Sequence, residues 1–141
     1  MCPIYRTYPV RYYPQSRERE EGCMDGREIR IIAVDFDGTL CGDCYPDIGM
    51  PNLTLIHLLL QLKREDKKLI LWTCRCGQKL AAAVEWCRFF GLEFDAVNQN
   101  VPETLEKYGM ESRKISADVY IDDKACFPWM TEREWRRYPA E

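Results

Sequence analysis

The hydrophobic pattern of the chain becomes regular at Ile29. Residues 29–34 form an apolar, mostly β-branched run that only Arg30 interrupts. A run of this kind, without polar alternation, predicts a strand buried on both faces, as in a parallel sheet. We predict three further strands along the chain, at residues 68–73, 92–97 and 117–121.

Between these strands, apolar residues recur at helical spacing. The predicted helices cover residues 52–66, 78–90, 102–109 and, near the end of the chain, 127–138. Asn52 is a suitable N-cap for the first helix, and Gly91 stands at the C-prime position of the second. Pro102 opens the third helix, which stops at Gly109. The apolar stripes of the first two helices are Leu55, Leu58, Leu59 and Leu62, then Leu80, Ala83, Val84, Cys87 and Phe90.

The alternation of strand and helix predicts the fold class. Right-handed crossovers between successive strands give a parallel sheet with helices on both faces. We therefore expect an α/β fold, a Rossmann-like three-layer sandwich. Ligands of such sheets bind outside the carboxyl ends of the strands, which makes the residues at those ends the first candidates for a site.

The length of 141 residues fits one domain. Residues 1–28 differ from the rest, because a stretch rich in Pro and Tyr is followed by a charged run with no regular period. We expect a flexible N-terminal extension over residues 1–28 and one folded domain over residues 29–141. An alternative is that the natural chain starts at Met24.

Charge and composition exclude several classes of function. The net charge is -3, so there is no basic field for sequence-specific nucleic-acid binding. The apolar runs fall far short of the roughly 20 residues that a membrane helix needs. Arg6 and Arg11 interrupt the segment where a signal peptide would need its apolar core. We expect a cytoplasmic protein with no membrane partner.

The eight cysteines admit more than one interpretation. In a cytosolic chain that is large enough for its own core, reduced thiols are expected rather than a disulfide framework. Cys41 and Cys44 form a Cys-x-x-Cys motif, and Cys74 and Cys76 form a Cys-x-Cys motif. Four thiolates could hold zinc, which is one alternative, but the Cys-x-Cys spacing is poor for a zinc knuckle.

Acidic residues follow two of the predicted strands. Asp35 and Asp37 come directly after the first strand, and Asp122 and Asp123 follow the fourth. Carboxylates packed at one sheet edge repel each other and raise each other's pKa unless a cation lies among them. Oxygen ligands without His or Cys favour Mg2+. The alternative is that these acids are ordinary turn formers, which two clusters at the ends of separate buried strands make the weaker interpretation.

The chain resembles the haloacid dehalogenase (HAD) superfamily in four motifs that occur in family order. Residues 35–39 read DFDGT and match the first motif, DxDGT after a hydrophobic strand. The hydrophobic run that ends in Thr73 matches the second motif, Lys114 the third, and the acidic pair Asp122-Asp123 the fourth. The resemblance implies a HAD-like fold and a Mg2+-dependent phosphohydrolase that works through an aspartyl-phosphate intermediate.

The resemblance also implies a role for each matching residue. Asp35 would be the nucleophile and Asp37 the general acid and base. The implied metal ligands are Asp35, Asp37 through its backbone carbonyl, Asp122 and, through water, Asp123. The implied phosphate-binding residues are Thr73, Lys114, Gly38 and Arg75. Gly38 and Thr39 would shape the turn that presents both acids, while Arg113, Lys107 and Lys124 are nearby alternatives to Lys114.

The short connections limit the substrate. HAD enzymes often insert a cap domain after the first motif or after the third strand, but residues 40–51 and 98–113 are too few to fold into one. The resemblance then implies an open site for a phosphorylated small molecule, a nucleotide first, or for the phosphoester end of a macromolecule. The alternative is that a neighbouring subunit covers the site, so an oligomer is also compatible with the sequence. A catalytically silent HAD-fold binding or regulatory module is the rival function.

Overall fold

The computed structural model describes residues 28–125 and Arg133. The predicted N-terminal extension lies outside these residues except for Glu28. The helix predicted at residues 127–138 lies outside them except for Arg133. The division into an extension and a folded domain therefore stays a prediction.

Four strands and three helices alternate along the chain. The strands are β1 (Ile31–Val34), β2 (Lys68–Leu71), β3 (Ala96–Val97) and β4 (Val119–Ile121), and the helices are α1 (Leu53–Arg64), α2 (Gly77–Phe89) and α3 (Pro102–Tyr108). The order of elements is the one that the sequence predicts.

The four strands form one parallel sheet with the order β3-β2-β1-β4. In the register of the sheet, Ile32 pairs with Leu69 of β2 on one side and with Val119 of β4 on the other. β1 therefore lies inside the sheet and has a hydrogen-bonded neighbour on each side. This arrangement confirms the α/β, Rossmann-like prediction.

Apolar side chains fill both faces of the sheet. On one face, Ile32, Val34, Leu69 and Leu71 pack with Ile56 and Leu59 of α1 and with Ala83 and Cys87 of α2. On the other face, Ala33, Ile70 and Ala96 pack with Val101 and Ile115. The central strands are thus buried on both faces, as their uninterrupted apolar runs predict.

The predicted helix boundaries follow from the capping residues. The side chain of Asn52 accepts a hydrogen bond from the backbone N–H of Leu55 and caps α1. Gly109 ends α3 with a φ of 74°, in the left-handed region that glycine tolerates. These two predictions are confirmed.

Two local predictions are wrong in part. The third strand contains Ala96 and Val97 instead of residues 92–97, because the N–H of Leu92 bonds to the carbonyl of Cys87 at the end of α2, and Asp95 contributes one hydrogen bond, from its N–H to the carbonyl of Leu69 in β2. On α1, Ile56 is buried, whereas Leu58 is 47% exposed. The other three predicted residues, Leu55, Leu59 and Leu62, pack in or against the core, so the prediction fails only at Leu58.

The connections between elements carry no added domain. Within residues 28–125, the next element after β1 is α1 and the next after β3 is α3. The loop after β1 folds back on itself, because Cys41 pairs with Pro51 in an antiparallel bridge. In the described part of the chain, no helix is long and apolar enough to span a membrane.

Candidate functional site

Three carboxylates meet at the carboxyl ends of β1 and β4. Asp35 follows β1, Asp122 and Asp123 follow β4, and one oxygen of each lies within 4.8 Å of the others. Strand pairing sets this approach, since Val34 pairs with Ile121 and the N–H of Asp35 donates to the carbonyl of Ile121 at 2.9 Å. The sequence-predicted acids of the two motifs are thus brought together.

The electrostatics of this cluster are unfavourable without a cation. Burial, with the negative charges of Asp122 and Asp123 adding to it, raises the pKa of Asp35 to about 6, although a backbone hydrogen bond from Phe36 works in the opposite direction. Burial and the neighbouring charge of Asp122 likewise raise the pKa of Asp123. Three carboxylate oxygens at this separation are a donor set suited to a hard divalent cation such as Mg2+.

Gly38 makes the close packing of the cluster possible. A Cβ atom added to Gly38 would lie 2.4 Å from Oδ2 of Asp123, closer than any real contact. The φ of Gly38 is also positive, at 79°. The glycine of the first motif is therefore required both by the turn and by the approach of the β4 loop.

Thr39 joins the two acidic loops, in addition to the turn-forming role that the resemblance implies for it. Its hydroxyl donates to Oδ2 of Asp35 at 3.3 Å and accepts from the backbone N–H of Asp123 at 3.0 Å. The side chain of Thr39 is buried. The signal for this role is the Thr of the DFDGT motif itself, although its partner in the β4 loop is not visible in the sequence.

Asp37 lies outside the carboxylate cluster and pairs with Arg75. Nε and Nη2 of Arg75 each donate to one oxygen of the Asp37 carboxylate, both at 2.7 Å. The Arg75 side chain is only 1% exposed, and its pKa is raised mainly by the hydrogen bond to Asp37. Arg75, predicted to bind phosphate, is therefore engaged with protein acceptors.

Thr73 lies in the loop after β2, beside Asn98. Its N–H donates to Oδ1 of Asn98 at 2.8 Å, and its hydroxyl accepts from the N–H of Arg75 at 3.2 Å. Asn98 adopts a positive φ of 52°. Asn100 is buried and bonds to Glu111 and to the N–H of Ser116. The side chains of Asn98 and Asn100 thus hold the loops after β2 and β3 to segments that are distant in sequence.

Lys114 is exposed and lies near the ring of Tyr120. Its Nζ is 5.5 Å from the ring centroid, a cation–π distance. Among the described residues, no ion pair joins Lys114 to the carboxylate cluster. The assignment of Lys114 to the phosphate stays a prediction.

The cysteines near this edge differ in state. Cys41 is a buried free thiol that donates to the carbonyl of Phe36, and Cys74 and Cys76 are exposed free thiols. Cys44 is disulfide-bonded, so the expectation of reduced thiols throughout is wrong at this position. A cysteine count and an assumed compartment cannot show which sulfur atoms the fold brings together. The metal-compatible cluster in residues 28–125 consists of carboxylates alone.

Comparison with known proteins places the chain in a family. No protein-family model and no curated protein matches the sequence. A solved structure of a conserved protein from Bacteroides thetaiotaomicron is 46% identical, with a TM-score of 0.62, and the match covers 70% of this chain and 78% of that one. At this identity and coverage, the chain belongs to the same protein family as the conserved Bacteroides protein.

Proposed function

We propose that the protein is a Mg2+-dependent phosphohydrolase of the HAD type, a phosphomonoesterase that forms an aspartyl-phosphate intermediate. The observation that carries the proposal is the meeting of Asp35, Asp122 and Asp123 within 4.8 Å at the carboxyl edge of the sheet. Asp35 is the first residue of the DFDGT motif. A nucleophile and its metal ligands would need this arrangement.

The residues present fit a magnesium ion. Asp35 and Asp122 would hold it through carboxylate oxygens, Asp37 through its backbone carbonyl, and Asp123 through water. When bound, Mg2+ supplies the positive charge that lets an anionic carboxylate approach an anionic phosphate. Burial, together with the charges of Asp122 and Asp123, raises the pKa of Asp35 to about 6, which agrees with a site that a bound cation would stabilise.

Asp35 and Asp37 have separate roles in the proposed reaction: Asp35 is the nucleophile, and Asp37 is the general acid and base. A carboxylate oxygen of Asp35 forms a bond to phosphorus while the ester P–O bond breaks, and Asp37 gives its proton to the departing oxygen. Asp37 then takes a proton from water as the water oxygen attacks phosphorus. This second step breaks the bond to Asp35 and releases inorganic phosphate. Both steps balance without an external oxidant or reductant.

Thr73, Lys114 and Gly38 form the proposed phosphate-binding set, in which the Thr73 hydroxyl and the Lys114 ammonium group meet the phosphoryl oxygens. The backbone at Gly38 shapes the turn between the two acids. The fourth candidate, Arg75, is buried against Asp37.

The open edge favours a large substrate. No domain is inserted over the site within residues 28–125, so a substrate need not fit inside a closed chamber. We propose a nucleotide or another bulky phosphoester, which includes the phosphorylated end of a macromolecule. Nucleotides are therefore the first phosphorylated compounds to screen.

A silent binding or regulatory module is the second candidate, and one observation favours it. Both oxygens of Asp37 accept hydrogen bonds from Arg75. Such a pair can hold two loops together without any proton transfer. A module that binds Mg2+ and a phosphoester without turnover would tolerate such a pair permanently.

An assay with 4-nitrophenyl phosphate separates the two candidates. Wild-type protein and the Asp35→Asn variant, purified in parallel, are compared with Mg2+ and with EDTA. The proposal expects Mg2+-dependent turnover by the wild type and a loss of at least about 10³-fold in the variant, since a covalent nucleophile is removed. Equal turnover by both proteins, or none by either, would contradict the enzyme assignment.

A further inference from the structure

Protein acceptors satisfy almost all of the hydrogen-bonding capacity of the Arg75 guanidinium group. In addition to its two bonds to Asp37, Nη2 donates to the carbonyl of Asp47 at 2.8 Å and Nη1 to the carbonyl of Pro46 at 3.3 Å. Four of the five guanidinium N–H groups therefore have partners. With 1% of the side chain exposed, a phosphate would have to displace these acceptors to reach the guanidinium.

The acceptors at Pro46 and Asp47 belong to the tip of the loop after β1. The base of this loop is closed independently, because the N–H of Gly42 donates to the carbonyl of Met50 at 2.9 Å. Gly49 is needed at this base, since a Cβ there would lie 2.2 Å from the carbonyl oxygen of Gly42. The tip is thus a separate part of the loop, and Arg75 is the cation that reaches its backbone.

The ring of Tyr45 adds a second contact between Arg75 and the loop tip. Cζ of Arg75 lies 5.2 Å from the ring centroid, and Nζ of Lys79 lies 4.8 Å from it. Lys79 also bonds to the Tyr45 hydroxyl at 3.4 Å. The two cations share this ring, but only Arg75 is also bonded to Asp37, which makes Lys79 a matched control.

We propose that Arg75 is a positioning residue, not a phosphate ligand: it fixes the direction of the Asp37 carboxylate and ties it to the loop tip at residues 45–47. Through this one side chain, the orientation of the proposed proton donor and the position of the loop are set together. The proposal rests on the proposed phosphohydrolase function for its kinetic part. The tie between Arg75 and the loop stands on geometry alone.

The dependence of the rate on the leaving group tests the kinetic part. A general acid matters most for a poor leaving group, and kcat/KM reports the steps up to departure of that group. For Arg75→Met we expect kcat/KM to fall about 10²-fold with phenyl phosphate but no more than about 5-fold with 4-nitrophenyl phosphate. Lys79→Met should lower both values by the same small factor. A phosphate ligand predicts equal losses with both substrates and weaker inhibition by inorganic phosphate.

A second variant covers the case in which Arg75→Met does not fold. Arg75→Lys keeps the positive charge but cannot form the bidentate pair with Asp37. We expect it to show the same selectivity for leaving group, with a loss of about 10-fold on phenyl phosphate. Equal losses on the two substrates for Arg75→Lys would overturn the proposal as decisively as for Arg75→Met.

Hydrogen exchange tests the tie without any need for turnover. Peptides covering residues 43–48 are compared between the wild type and the Arg75 variants, with a thiol reductant present so that the disulfide at Cys44 does not hold the loop. We expect the rate of amide hydrogen exchange in these peptides to rise by at least about 10-fold in the Arg75 variants. This factor corresponds to the loss of one hydrogen bond to a charged group. An unchanged exchange rate would refute the proposed contact between Arg75 and the loop tip. If the wild type showed no turnover, the proposed function would be refuted, but the hydrogen-exchange measurement would still test this contact.

Discussion

The backbone N–H of Asp123 donates a hydrogen bond to the hydroxyl oxygen of Thr39 at 3.0 Å, across 84 positions of sequence. The same hydroxyl donates to the carboxylate of Asp35. Thr39 is therefore a bridge between the loop after β1 and the loop after β4. The spacing of the proposed metal ligands depends on this buried side chain as well as on strand pairing.

Replacement of Thr39 tests the bridge. We expect Thr39→Val to lower the free energy of unfolding by about 1–3 kcal/mol, because the N–H of Asp123 loses its acceptor. Thr39→Ser keeps the hydroxyl and should retain most of the stability and of the response to Mg2+. Urea unfolding of the three proteins measures the effect. Equal stability of the Val and Ser variants would show that the hydrogen bond contributes nothing.

Gly38→Ala should impair the carboxylate cluster in addition to destabilising the backbone. The added Cβ would meet the Asp123 carboxylate at 2.4 Å, so we expect both a lower melting temperature and a loss of stabilisation by Mg2+. Gly109→Ala is the control, since Gly109 has a similar positive φ but nothing lies within 4 Å of its added Cβ. It should lose about 1 kcal/mol from backbone strain and keep the full response to Mg2+.

Magnesium should stabilise the folded protein. Binding to the carboxylate cluster at 100 times the dissociation constant adds about 2.7 kcal/mol to the free energy of unfolding. We expect Asp122→Asn to lose most of this gain. Asp118→Asn, at the opposite end of β4, removes a negative charge but keeps a side-chain oxygen that can accept from the N–H groups of Arg30 and Ile31, and it should respond to Mg2+ like the wild type. Melting curves with and without Mg2+ decide between these outcomes.

Asp95 gives a pH-dependent contribution to stability that is independent of the site. Burial alone would raise its pKa, but hydrogen bonds from the N–H of Leu69 and from Lys63 outweigh it, and the pKa is lowered. The unfolded pKa is about 3.9, so this stabilisation is complete above about pH 5 and disappears as the pH falls through the lower folded pKa.

We therefore expect Asp95→Asn to destabilise the protein by about 1 kcal/mol at pH 7 and to have progressively less effect below about pH 4. Glu103→Gln, in which an exposed carboxylate at 3.9 Å from Lys68 is neutralised, should change stability by less than about 0.5 kcal/mol. Unfolding is measured across the acid range for both variants. A constant effect of the Asp95 substitution at all pH values would contradict the assignment.

The fold was predictable because its signals are local. Capping at Asn52 and the left-handed Gly109 mark helix ends through their own backbone chemistry, and apolar runs mark strands buried on both faces. The predicted third strand is too long for a local reason as well. The apolar pattern assigns Leu92 to the sheet, but its N–H bonds to the end of α2 instead.

The site was predictable only in part. Parallel strands bring residues at their carboxyl ends to one edge, so the approach of Asp35 to Asp122 and Asp123 follows from the element order. The pairing of Asp37 with Arg75 does not follow, because it depends on the path of a loop and on the rotamers of two side chains. The disulfide at Cys44 was missed for the same reason, since loop geometry decides which thiols meet.

The short length of β3, two residues, also affects the tendency of the protein to aggregate in concentrated solution. β3 pairs with β2 along one side and is an edge of the described sheet. A long, flat edge strand is a site at which another chain can add a strand and begin aggregation, but β3 ends at Val97, and the positive φ of the next residue, Asn98, turns the backbone away from the strand direction. The shortness of β3 leaves little backbone on which a second molecule could extend the sheet, so this edge resists intermolecular strand addition.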